Sequence, residues 1–263
     1  MTNRATQAEL LEQRIRENRA SQEVDLAAWI FERVRVEPTD QVLELCSGTG
    51  GQTLRMLSSL GKRGRLVALD LSAAALATLT GKLSGADSGK LTTVEASLDE
   101  LSQALERSGF RRPCFDLVFC AYGLYYSQDP KKTLDEILAW LKPGGRIVVA
   151  GPYGPNNKPL FDLIEASGVT LGDAVTFSSQ FFMVETVIPW AALRFESVRV
   201  STMVNPIRWA MPESVLNYWQ NTTFYDSARQ PAFEALLQRH FAEHGQFVNE
   251  KWVMMVEMRD ARP

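Results

Sequence analysis

The sequence predicts an α/β protein built on a doubly wound, seven-stranded, mostly parallel sheet. Three observations predict it. From Gln41 onward, short apolar runs alternate with stretches of helical apolar spacing. The first run, residues 42–46, breaks into glycines where a helical pattern begins, giving strand, tight turn and helix. An acid, Asp70, closes the second run 20 residues after Gly50, the distance at which a doubly wound fold places a ribose-binding carboxylate. At 263 residues, 45% hydrophobic and 22% charged, the chain suits one domain with a substantial core. Its expected parts are N-terminal helices over 1–37, a ligand-binding core over 38–151 and a closing part over 152–263.

Taken in order, Leu10, Leu11 and Ile15 share one helical face, and Leu26, Ile30, Phe31 and Val34 form a second stripe. These helices either cover the sheet edge or help to close a cleft. After strand one comes a helix with Leu54 and Leu57 inward, then strand two over 65–70. Ser72 caps the next helix, whose face is Leu76, Leu79 and Leu83. Strand three, 91–95, leads to a helix carrying Leu98, Leu101 and Leu105. Strand four, 115–120, leads to a helix carrying Leu134, Ile137, Leu138 and Leu141. Lys142-Pro143-Gly144-Gly145 stops that helix and turns into strand five, 146–150. Composition first shifts at 151–157. Beyond lie a helix over 159–167, an alternating strand over 195–204, helices over 212–219 and 231–245, and a last strand over 247–258. The last two strands flank an inserted segment near 205–230, expected as a helical lid.

Glycines at 48 and 50 let a ligand approach the backbone closely, which points to a nucleotide-like cofactor. A dinucleotide fingerprint wants Gly or Ala three residues after the second glycine, and here that residue is Thr53. Glu44, inside strand one, is also unexplained by dinucleotide binding but suits a cationic ligand. The segment Glu44-Leu-Cys-Ser47-Gly48-Thr49-Gly50 closely resembles motif I of the class I S-adenosylmethionine (SAM) dependent methyltransferases, particularly the ubiquinone/menaquinone-biosynthesis-like, methyltransferase type 11 group.

The resemblance implies that the last two strands form a closing C-terminal β-hairpin, and it implies SAM as cofactor, bound by Glu44, Ser47, Gly48, Thr49 and Gly50. Asp70, followed by Leu71, matches the acid of motif II, where the alternative is a surface acid that caps the next helix together with Ser72. Ala96 and Ser97 stand where the family brackets the adenine, and edge contacts from the Ala96 N–H and the Ser97 hydroxyl are expected; Leu98 equally suits the first core residue of its helix. Residues 115–126 resemble motif IV and its following loop, which turns the backbone of Cys120 and Ala121 toward the methionine portion of SAM. Tyr125 is the candidate catalytic residue, orienting a substrate or relaying a proton; the competing reading is a packed aromatic.

Several classes are set aside. A net charge of −3 and a pI near 5.6 give no basic field for nucleic acid. Cys46, Cys114 and Cys120 show no metal spacing and read as small buried hydrophobes. His240 and His244 lie four apart but lack a third ligand. The loop after strand four has no Asn/Asp-Pro-Pro, and no acid before Asp129 to hold a divalent cation, so no metal is expected. Residues 1–4 lead into a charged amphipathic stretch, and no run reaches the length of a membrane span, which gives a cytoplasmic expectation.

The expected function is metal-independent, in-line transfer of a methyl group from SAM to an O, N or C nucleophile of a small, partly apolar molecule. A non-catalytic SAM-binding scaffold and a nicotinamide-dependent oxidoreductase are the alternatives, the latter disfavoured by Thr53 and Glu44. The expected partner is a small-molecule substrate, with no nucleic acid and no membrane span, in a monomer or homodimer. The lid, 152–230 with the N-terminal helices, is rich in aromatics, at least half of which are expected to be core.

Overall fold

The computed structural model describes residues 8–85 and 87–262, with side chains of Ala8, Leu10, Leu11 and Arg14 excepted. Residues 1–4 and the side chains of Leu10 and Leu11 therefore lie outside what is described. Seven strands form one sheet: β1 (Gln41–Leu45), β2 (Arg65–Asp70), β3 (Leu91–Glu95), β4 (Phe115–Ala121), β5 (Leu141–Pro152), β6 (Phe195–Trp209) and β7 (Phe247–Ala261). Their order is β3-β2-β1-β4-β5-β7-β6. Strands β1 to β5 run parallel, with Leu45 opposite both Leu69 of β2 and Cys120 of β4. The order reverses direction between β1 and β4, and in open α/β sheets ligands bind beyond the carboxyl ends of strands at such a switch point.

The chain forms two compact units. The larger comprises 27–151, 183–201 and 254–263. Here α3 (Thr53–Ser59), α4 (Ala73–Gly81), α5 (Leu101–Arg107) and α6 (Pro130–Trp140) follow β1 to β4 in turn. β1 is buried from Val42 to Leu45, and Leu66, Leu69, Leu117, Val118 and Val148 are at most 1% exposed. Continuous apolar runs of this kind are what a parallel sheet covered on both faces requires. Each helix lays its predicted face on the core through Leu57, Leu76 and Leu79, Leu101 and Leu105, and Leu134 and Ile137.

Three predicted core positions fall outside their helices, the first being Leu98, in the turn before α5 begins at Leu101. Leu83 lies beyond α4, which ends at Gly81, and Leu141 opens β5 because α6 ends at Trp140. Lys142-Pro143-Gly144-Gly145 is accordingly part of the span of β5, where the pairing with β4 shifts register between Phe115 and Leu117 and Gly144 takes φ 76°.

The smaller unit comprises residues up to 26, 152–182 and 202–253. In it α1 (Ala8–Ser21) packs on α10 (Pro212–Gln220), and both α7 (Lys158–Ala166) and α10 pack on α11 (Gln230–His244). Its core gathers Leu160, Phe161, Trp209, Tyr218, Trp219 and Phe233, with Phe224 and Tyr225 packed against it. Most of the aromatics assigned above to a lid are therefore core, while Phe177 and Phe181 are exposed. The strand predicted to end at Val204 continues to Trp209, so the inserted helices begin after 209 rather than at 205. Pro206 argues against a strand there, yet its carbonyl accepts from Glu23 N–H at 3.1 Å, and Asn205 pairs its side chain with both backbone groups of Val24.

Residues 173–194 are helical, which the sequence pattern did not predict. α8 (Asp173–Thr176) opens into wide turns over Phe177–Phe181 and Met183–Val187 before α9 (Ile188–Arg194). Pro189 has no N–H to give the preceding turn, and the widening lies just ahead of it.

In the larger unit the segment entering β1 is anchored by a buried ion pair. Arg146 Nη2 lies 2.7 Å from Asp40 Oδ2 and also donates to the Arg35 carbonyl, with both side chains 7% exposed. Asp40 also accepts the Glu37 N–H at 2.9 Å. Removing one partner leaves a buried charge unpaired. Asp40→Ala should cost about 3 to 5 kcal/mol in urea unfolding, against less than 1 kcal/mol for the exposed Lys158–Asp162 pair; equal small losses would show that the buried pair does not anchor the segment.

Candidate cofactor site

The site is assembled from the carboxyl ends of β1, β2, β3 and β4. At the end of β1 the backbone enters the left-handed region at Cys46 (φ 55°), Gly48 (φ 54°) and Gly50 (φ 89°). The turn between these residues is held by Asp70 at the end of β2, whose Oδ2 accepts the Gly48 N–H and whose Oδ1 accepts the Ser72 N–H, both at 2.8 Å. The predicted acid thus does the work of the alternative reading, capping the start of α4 beside Ser72, and ties down the glycine turn as well. An ionised carboxylate offers about four lone-pair sites, so two donors leave room for a ligand hydroxyl.

At Gly50 the protein itself also calls for glycine. The residue takes φ 89°, and a Cβ there would stand 2.3 Å from Leu79 Cδ1 of α4. Thr49 is buried, and its carbonyl accepts from Lys82 Nζ at 3.1 Å. Ser47 is 7% exposed, and its hydroxyl has no hydrogen-bond partner; the Oε1 of neighbouring Gln52 is likewise buried and unpartnered. Unsatisfied buried polar atoms are uncommon, and two beside a glycine turn fit a site that takes a polar ligand.

Glu44 is 3% exposed and accepts one side-chain hydrogen bond, from Thr53 Oγ1 at 2.6 Å. Burial pushes its carboxyl up from the usual 4.5 to about 8, against the opposing bond from Thr53 and with help from the negative charge of Asp70. At neutral pH the free protein therefore holds a protonated acid beneath the turn. A cationic group placed nearby would favour ionisation and restore the carboxylate.

The adenine-side residues are only partly as predicted. The Ala96 N–H donates to the Asp70 carbonyl at 3.1 Å, continuing the β2–β3 ladder, so the edge contact expected from it is already committed. Ser97 is half-buried and caps a single turn over Leu98–Glu100, accepting the Asp99 N–H at 3.2 Å; Leu98 is core. Leu71 is 55% exposed immediately after Asp70, an apolar side chain at the strand end where a flat ring would need cover.

Cys120 is buried at the end of β4 and Ala121 is half-buried. The chain then turns at Tyr122 (φ 57°), whose N–H donates to the Ala150 carbonyl at 2.8 Å, and makes a short turn over Leu124–Tyr126. Tyr125 is half-buried against Tyr126, with ring centroids 4.8 Å apart, and Tyr126 is 58% exposed.

Sequence reasoning missed Asp99. Its Oδ1 accepts from Ser127 Oγ at 2.7 Å and from the Gln128 N–H at 3.0 Å, pinning the tyrosine loop to the segment after β3. It also missed the neighbouring thiols of Cys46 and Cys120. Neither signal is local, because the partners are 28 and 74 positions apart. His240 and His244 stack at 4.5 Å, and among the described residues no group of three or more His, Cys, Asp or Glu is placed to hold a metal. Nor is any described helix long and apolar enough to cross a membrane.

This arrangement coincides with a match of residues 42–145 to a family described as a methyltransferase domain. The matched stretch, less than half of the chain, holds every strand end described above. A demethylmenaquinone methyltransferase of Lactococcus lactis is 32% identical over 125 residues, which is 46% of this chain and 47% of that protein. The chain spans about half the length of the curated relatives it matches. Among solved structures, the YcgJ protein from Bacillus subtilis aligns with a TM-score of 0.62 over 90% of this chain and 98% of that one at 10% identity. A Haemonchus contortus phosphoethanolamine N-methyltransferase 2, in complex with S-adenosylhomocysteine, aligns with a TM-score of 0.54 over 89% of this chain and 52% of that one at 17% identity. At such identities the structural likeness shows the fold alone.

Glu44 supplies the test of the site in the free protein. Between pH 4.5 and about 8 the unfolded chain has released a proton that folded Glu44 keeps, so stability attributable to this residue falls as pH rises through that window. The slope is at most about 1.4 kcal/mol per pH unit and flattens above the upper value. Glu44→Gln should remove this contribution, making urea midpoints at pH 6 and pH 8 more alike than in the parent; identical pH dependence in the two proteins would mean that Glu44 is ionised when folded.

Proposed function

We propose that the chain transfers a methyl group from SAM to an O, N or C nucleophile of a small, partly apolar molecule. The observation that carries the reading is the turn after β1: a protonatable buried acid, two unpartnered polar atoms and a carboxylate-braced pair of glycines, all beside the β1/β4 switch point of a methyltransferase domain. SAM supplies a methyl group already bonded to a positively charged sulfur, so no covalent residue of the protein is called for. What the chain's own groups do is bind and orient.

Glu44 and Gln52 Oε1 are acceptors suited to an ammonium group, and the Ser47 hydroxyl can donate to a carboxylate. Asp70 has acceptor capacity left for ribose hydroxyls, Leu71 and Ser97 would flank the adenine, and Tyr125 with Tyr126 stands at the end of β4 where an acceptor would approach. Aligning a nucleophile in line with the methyl group and excluding water are then the main tasks. The likeness to a demethylmenaquinone methyltransferase supports a small, partly apolar acceptor, and demethylmenaquinol is the first to assay. Thr53 speaks against a nicotinamide cofactor, since its hydroxyl is committed to Glu44 where a dinucleotide turn packs a glycine or alanine.

Calorimetry with S-adenosylhomocysteine tests the cofactor assignment. Binding should be seen in the parent and weakened by about 1.5 to 3 kcal/mol in folded Asp70→Ala, the scale of hydrogen bonds to a charged group; unchanged affinity would remove Asp70 from the site, and preferential binding of NAD would overturn the reading. Once an acceptor is found, turnover should survive EDTA. Loss of turnover reversed by Mg²⁺ or Zn²⁺ would mean that a metal takes part.

A further inference from the structure

The thiols of Cys46 and Cys120 meet at the switch point, on the two strands between which the sheet order reverses. Leu45, the residue before Cys46, is the registered partner of Cys120, so the two backbones are adjacent strands one residue out of step. Adjacent strands lie about 4.8 Å apart and rise about 3.3 Å per residue, so a one-residue diagonal is on the order of 6 Å, inside the range a disulfide bridges. Both sulfurs crowd the same small space: a Cβ added to Gly123 would lie 2.4 Å from Cys46 Sγ and 3.4 Å from Cys120 Sγ. Gly123 leaves open the volume that the pair occupies. Cys46, moreover, takes φ 55°, a conformation that a residue other than glycine, Asn or Asp adopts rarely. Cys46 is half-buried and Cys120 is 2% exposed.

We propose that Cys46 and Cys120 form a reversible oxidation site, a dithiol that closes to an intramolecular disulfide by exchange with a low-molecular-weight disulfide and shuts the cofactor crevice when it does. This rests on the cofactor reading above. Cys46 is the more exposed residue of the two, and its thiolate attacks one sulfur of oxidised glutathione. That forms a mixed disulfide and releases one glutathione thiolate, which takes a proton. The Cys120 thiolate then displaces the second glutathione, which is protonated in turn. The sum is one protein disulfide and two reduced glutathiones, with the two thiol protons transferred.

The consequence for the cofactor is geometric. Cys46 is the residue from which the chain turns into Ser47, Gly48, Thr49 and Gly50, and Gly48 is also fixed from the other side by Asp70. Drawing Cys46 Sγ from contact to bonding distance of Cys120 pulls this turn toward β4. The reaction is slow at neutral pH: the hydrogen bond with Cys120, burial and the negative charge of Asp70 push the Cys46 thiol well above its ordinary pKa, and the thiolate is the attacking species. Cys114, by contrast, precedes β4 at the opposite end of the sheet.

The experiment uses the full chain, incubated for hours with oxidised glutathione, then peptide mapping by mass spectrometry and calorimetry with S-adenosylhomocysteine. The expected result is a linked Cys46–Cys120 peptide, at least a tenfold loss of S-adenosylhomocysteine affinity, and recovery of both with dithiothreitol. Cys114→Ser should behave like the parent. Cys46→Gly, which suits the positive φ and cannot be linked, should keep whatever affinity it has before and after oxidant. Absence of the linked peptide, linkage through Cys114, or linkage without loss of affinity would each overturn the proposal. Failure of the untreated parent to bind S-adenosylhomocysteine would instead condemn the cofactor reading, while the peptide map still decides whether the pair is oxidised.

Discussion

Two backbone N–H groups on one carboxylate set the geometry of the cofactor end of the sheet. Asp70 takes Gly48 from the turn after β1 and Ser72 from the start of α4, so that a loop with three residues at positive φ becomes a fixed shape. α4 supports the turn twice more, through Leu79 against Gly50 and through Lys82 on the Thr49 carbonyl. Backbone donors on an ionised carboxylate are among the stronger hydrogen bonds available to a protein. A ligand hydroxyl arriving at Asp70 therefore meets a group already held in place, which reduces the ordering that binding requires.

Thr53 and Glu44 look like two separate departures from a dinucleotide pattern when the residues are read along the chain. Folded, they are one feature: the hydroxyl at 53 is the side-chain donor on the carboxyl at 44. A glycine or alanine at 53 would leave the buried acid with no side-chain partner, and an apolar residue at 44 would strand the threonine hydroxyl. The cost of burying Glu44 appears as its raised pKa, which a cationic ligand is suited to reverse.

Much of the larger unit was legible because β1 to β5 are covered on both faces and so read as plain apolar runs, and because a cofactor-binding residue in this architecture sits at a strand end, next to a recognisable local pattern. What was not legible depends on contacts between distant residues. β6 runs on through Pro206 because residues 23 and 24 offer it partners, which no local pattern announces. The wide turns around 177–187 have no apolar period of 3.6 to detect. The Ala96 N–H was expected to face a ligand, but strand pairing continues one residue past β3 and commits it to Asp70. Asp99 reads as a surface acid until the loop after β4 folds back on it.

Cys46 shows how a strained position can be read in its surroundings. A non-glycine residue in the left-handed region costs on the order of 1 to 2 kcal/mol, and glycine at 46 would avoid it. The side chain that is kept instead fills space which only a glycine at 123 leaves open, with Cys120 as its neighbour. Alanine at 46 would carry the same strain and leave that space unfilled. The fold tolerates the strain, reserves a glycine opposite and brings two of its three cysteines together at the switch point. The sulfur that fills the space thereby sits beside a second thiol.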